Sequence, residues 1–166
     1  MKKKIIFIGG TAILLLVCTL VTVHSPRYKA AKLLDMDLPQ PVESQLTDSH
    51  GGWFGEGELY GKLVFDQSDG EGLEERLAGY DNWKNLPLPE NVTLFLYGGE
   101  QDGIHYVSKC TNGWDSPTVT EGYYYFLDRQ HDRKDDALLL NSSSIDVTIA
   151  IYDSQQAVLY FMTYDS

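Results

Sequence analysis

Basic residues are scarce over most of this chain. From residue 35 onward only seven lysines and arginines (Lys62, Arg76, Lys84, Lys109, Arg129, Arg133 and Lys134) stand against 24 acids, a local balance of −17 inside an overall formal charge of −11. A nucleic-acid partner needs phosphates neutralised by cations, and this surface repels them, so nucleic-acid binding is excluded. Acidic charge otherwise favours solubility and selects no partner. Cysteine is nearly absent as well. Cys18 falls in an apolar run and Cys110 stands alone in the remainder, so no disulfide forms within the domain, and Cys110 reads as a small buried hydrophobe.

Catalytic signatures are missing too. The chain has no G-x-S-x-G elbow, no glycine-rich phosphate loop, no internal repeat and no low-complexity segment. Residues 66–75, DQSDGEGLEE, have an acidic rhythm, but in a calcium loop begun at Asp66 the third position is Ser68, the glycine arrives one place early and the twelfth is Leu77, which has no carboxylate. A turn at Asp69 and Gly70 leading into a helix explains the stretch better. Cys110 and His105 lie five apart on one expected strand, and an odd separation places them on opposite faces, against a nucleophile–base pair. The sequence implies no cofactor and leans away from an enzyme.

What is present begins at the N-terminus. MKKK precedes nineteen uncharged residues, 5–23, that open at Ile5 and close at Val23. At about 1.5 Å rise per residue such a helix spans roughly the 30 Å hydrocarbon core. No small-x-small cleavage site comes after it, so an uncleaved signal anchor is expected, with the lysine-rich tail cytoplasmic and the rest extracytoplasmic. The expected organisation is an anchor over 1–24, a short helix and stalk over 25–41, and an extracytoplasmic domain over 42–166. Ser25 caps the short helix and Pro26 takes its first position, while DMDLPQP ends it.

The aromatic content, 12%, is too high for a disordered chain. From residue 42 the apolar period becomes two, predicting strands over 42–48, 58–65, 92–97, 104–110, 122–128, 145–152 and 157–164. One helix is expected over 70–80, with early acids and a late Arg76. The fold class is therefore α+β: a mostly antiparallel sheet of about seven strands with one packed helix, behind a transmembrane helix.

The most unusual stretch is residues 48–60, DSHGGWFGEGELY. Its glycines permit close backbone approach, and Asp48, His50, Glu56 and Glu58 are a candidate metal set, since carboxylates suit Ca²⁺ and an imidazole among carboxylates suits Zn²⁺. His50, Trp53 and Phe54 are alternatively a candidate contact for a ligand or partner. A plain turn, with the aromatics folded back on the core and the acids solvated, is the simpler explanation of the composition.

Three stretches, DSHGGWFGEGE, GYYYFLDRQ with the DD beyond it, and TIAIYDSQQAVLYF, resemble a group of small uncharacterised membrane-anchored proteins of Gram-positive bacteria. The resemblance implies that these stretches belong to one domain, and implies no mechanism. The sequence thus points to a non-enzymatic module that binds an unknown protein or ligand at the cell surface. A metal-dependent hydrolase or metal-binding protein built on Asp48, His50, Glu56 and Glu58 is the alternative.

Overall fold

The computed structural model describes residues 25–51, 56–110 and 118–166. Their architecture is α+β, with a six-stranded antiparallel sheet at the centre. In chain order the elements are α1 (Pro26–Leu34), β1 (Glu43–Asp48), β2 (Gly57–Val64), α2 (Gln67–Leu77), β3 (Trp83–Asn85), α3 (Glu90–Tyr97), β4 (Gly99–Gln101), β5 (Ile104–Tyr106), β6 (Gly122–Asp128), β7 (Asp146–Asp153) and β8 (Val158–Asp165). The sheet runs β1-β2-β8-β7-β6-β3, while β4 and β5 form a separate ribbon. No helix among the described residues is long and apolar enough to cross a membrane, and residues 5–23 lie outside them.

Both faces of the sheet are covered. One face carries Leu59, Leu63, Tyr125, Ala150, Tyr152, Leu159 and Phe161 against Ala30 and Leu34 of α1 and Leu73 and Leu77 of α2. The other carries Tyr60, Tyr124, Phe126, Val147, Ile149, Ile151 and Met162 against Val92, Phe95 and Leu96 of α3. Two buried faces explain why β7 and β8 are apolar almost throughout, as strands covered on both sides must be. Gly61 has a packing duty within this arrangement. The Phe161 ring lies over it, and a Cβ there would stand 2.0 Å from Phe161 Cζ.

Three findings revise the sequence expectations. Residues 92–97 alternate and were expected as a strand, yet Glu90–Tyr97 is a helix. A short apolar run fits either period, and here the helical spacing of Val92, Phe95 and Leu96 buries all three against the sheet. Gly98, at φ 72°, ends the helix and donates to Leu94 O, and the expected hairpin comes one step later as β4 and β5 around a turn at Asp102 and Gly103, both with positive φ. Second, α2 begins at Gln67, because Asp66 caps it by accepting from the Asp69 N–H at 2.8 Å. The described residues hold three helices and eight strands, where the short helix after residue 25, one packed helix and about seven strands were expected. Third, the segment after α1, expected as a stalk, lies against the core: Met36 and Leu38 are buried at 7% and 2% exposure. Arg27 ties it down, its guanidinium donating to Leu38 O and Pro39 O.

Candidate functional site

Three chain segments meet at one end of the sheet. β1 ends at Asp48, which pairs with Leu59, and the chain continues to His50. β8 ends at Asp165, set between Gly57 of β2 and Asp146 of β7. Arg129 lies just past the end of β6. Lys29 reaches in from α1.

The side chains form a continuous line of alternating charge. Lys29 Nζ donates to Asp48 Oδ2 at 2.8 Å, and Asp48 Oδ1 lies 2.8 Å from His50 Nδ1. On the other side of the ring His50 Nε2 lies 2.7 Å from Asp165 Oδ2, while Arg129 donates to Asp165 Oδ1 at 2.5 Å. Arg129 is itself held by Val147 O at 3.1 Å. The His50 backbone N–H adds a further bond to Asp48 Oδ1 at 3.1 Å. Each ring nitrogen faces a carboxylate, and only the imidazolium donates from both.

These contacts set the electrostatics of the cluster. Partial burial opposes charge on His50, but the hydrogen bonds and negative charges of Asp165 and Asp48 outweigh it and raise the imidazole above its ordinary 6.5. Partial burial likewise opposes charge on Asp48. Its bonds to the Lys29 ammonium and to the His50 ring and N–H win, holding the carboxyl at about 2. Both shifts favour the same charged pair.

Gly57 makes the geometry possible. A Cβ at this position would lie 2.6 Å from His50 Cα and 2.8 Å from His50 N, so only glycine lets the two backbones pass. Ser49 locks the same crossing, its hydroxyl accepting from the Glu58 N–H at 2.9 Å and its own N–H donating to Glu58 O at 2.8 Å.

Of the four candidate metal ligands, the structure therefore joins Asp48 and His50 and separates the other two from them. Glu56 lies just before β2 and is exposed. Glu58 turns to the opposite sheet face, is buried, and accepts from Tyr60 Oη at 2.5 Å. Among the described residues no three His, Cys, Asp or Glu side chains are grouped so as to hold a metal ion. Trp53 and Phe54 lie outside the described residues. Cys110 sits near Glu58 and Tyr60. Burial pushes its thiol up to about 12, and the Glu58 charge adds to this while the Tyr60 hydrogen bond works against it, so it is a poor nucleophile.

The residues that complete the cluster were invisible to sequence reasoning. Asp165 is 115 positions from His50, and Lys29 and Arg129 sit on different elements. No motif spacing connects them. The one available sign was that the apolar alternation of residues 157–164 ends on an acid. Comparisons of the chain with protein-family models, with curated proteins and with solved structures found no match.

Proposed function

We propose that this chain is a single-pass, membrane-anchored protein whose α+β domain lies outside the cytoplasmic membrane and binds a ligand or partner without catalysis of its own. The observation that carries the reading is the uncharged run from Ile5 to Val23, placed between MKKK and the folded domain. The position of α1 adds support. Ser25 caps this helix, and its Ala30 and Leu34 belong to the core, so the folded domain starts directly after the apolar run. A domain joined this closely would work at the membrane surface.

The polar cluster supports a binding role over a catalytic one. A general base needs a nitrogen free to face its substrate, and both nitrogens of His50 are taken by carboxylates. Trp53 and Phe54, which follow this locked residue in the chain, are the candidate contact.

The test is membrane fractionation with carbonate extraction, then protease treatment of intact protoplasts. Retention in the carbonate pellet and digestion of the domain from outside are expected. A carbonate-soluble protein, or a domain protected until the cells are lysed, overturns the placement. For binding, crosslinked membranes are compared between wild type and Trp53→Ala, and a partner lost in the variant is expected. An unchanged set of partners removes the aromatic connection from the proposal.

A further inference from the structure

A cavity of about 350 Å³ opens on the sheet face opposite the His50 cluster, between α3, the chain leaving β5, and residues 139–145. One side of it is apolar, formed by Leu94, Phe95, Leu139, Leu140 and Ile145, and the rest is polar. Its size is at the lower end of the range of small-molecule sites, roughly 300–1,000 Å³. Of its lining residues, His105 and Lys109 are basic, none is a carboxylate, and Tyr106 and Ser142 add hydroxyls.

That charge is out of character for the domain. With 24 acids against seven bases from residue 35 onward, a cavity lined by bases and by no acid stands apart from the surface around it. The other cations near polar groups are committed. Lys29 holds Asp48, Arg129 holds Asp165, Arg133 holds Asp135 and Arg76 holds Asp37 O. The side chains of Lys109 and His105 make no hydrogen bond or ion pair among the described residues. Glu100 is opposite His105 in the β4–β5 ribbon, but it does not line the cavity. The segment carrying these bases is held in place. The Lys109 N–H donates to Phe95 O at 3.0 Å and Ser108 Oγ donates to Leu96 O at 2.6 Å, pinning it to α3.

Apolar walls beside unpaired donors define an amphipathic ligand. The Lys109 ammonium offers three N–H donors, and an imidazole donates at least one in either protonation state. Val107, 72% exposed, adds a further apolar side chain to the lining. We propose that this cavity binds a single-chain anionic amphiphile, its acyl chain against Leu94, Phe95, Leu139 and Ile145 and its carboxylate or phosphate head at Lys109 and His105. A free acid from solution and a lysophospholipid from a bilayer share this chemistry. The proposal does not depend on which side of the membrane holds the domain.

The test uses the full chain in phosphatidylcholine nanodiscs, with octanoate as probe and octanol and octyltrimethylammonium as its neutral and cationic counterparts. Binding is read from the NMR shifts of the His105 ring and the Lys109 amide, with empty discs correcting for partition. Octanoate should saturate the site at least about tenfold more tightly than octanol, because the head forms charge-assisted hydrogen bonds. The double variant Lys109→Gln, His105→Gln, monitored through the Phe95 amide, should abolish that advantage; both side chains are exposed, so the fold is kept. Octanoate and octanol binding equally, or an advantage that survives in the double variant, overturns the proposal. Lyso-phosphatidylglycerol added to the discs identifies the source: the same shifts indicate the bilayer, and their absence while octanoate saturates indicates the free acid.

Discussion

Replacing His50 should change not only the stability of the domain but the pH at which it is most stable. The imidazole is raised in the folded state, so its contribution is fully present below 6.5 and fades as pH climbs through the higher folded value. Asp48 runs the other way. Its carboxyl is lowered from 3.8 to about 2, so its contribution is present above 3.8 and is lost as pH falls toward 2. The two overlap between about pH 4 and 6.5, and there the Lys29–Asp48–His50–Asp165–Arg129 line is at full strength. Hydrogen bonds to charged groups contribute roughly 1.5–3 kcal/mol each when sheltered. The His50 side chain is 26% exposed and the carboxylates are 34% and 22% exposed, so solvent screening reduces the pair of bonds to about 1–2 kcal/mol in total. For a domain of this size that corresponds to a melting shift of roughly 3–8 °C. Thermal unfolding of wild type and His50→Gln, compared from pH 4 to 8.5, measures it. The gap between the curves should be widest near pH 5–6 and shrink as pH rises beyond 6.5. A gap independent of pH, or one that widens toward pH 8.5, refutes the imidazolium bridge.

Four further outcomes are expected. Gly57→Ala places a Cβ 2.6 Å from His50 Cα, and this overpacking should cost about 1–3 kcal/mol in urea unfolding while removing the pH dependence assigned to His50. Leu38→Ala should cost about 2–5 kcal/mol, because Leu38 is 2% exposed, whereas a residue in a solvated stalk would change the unfolding midpoint little. Thr148 is 1% exposed and its hydroxyl has no hydrogen-bond partner among the described residues, so Thr148→Val should stabilise the domain by about 1 kcal/mol in the same assay. Cys110, with its thiol at about 12, should react with a thiol reagent at pH 7.5 far more slowly in the folded protein than in urea, and equal rates would contradict its burial.

Local pattern alone determined several parts of this protein. The strands at 43–48 and 57–64 follow from alternation, those at 122–128, 146–153 and 158–165 from short apolar runs bounded by turns, and α1 from Ser25 and Pro26, since side-chain pattern and capping chemistry are properties of neighbouring residues. The helix at Glu90–Tyr97 was a different matter. Its run of apolar residues satisfies both periods, and only the second sheet face, assembled from strands before and after it in the chain, selects the helical one. The role of residues 35–41 was decided in the same way, because Met36 and Leu38 are buried in a core that is completed by helix and strand residues further along the chain. At the candidate site, the sequence offered Asp48, His50, Glu56 and Glu58 as neighbours. Strand geometry then sent Glu58 to the opposite face, and the end of β8 brought Asp165 to His50 from 115 residues away. Spacing along the chain constrains which residues share a face. Which faces meet is set by the order of strands in the sheet, and that order exists only once the chain has folded.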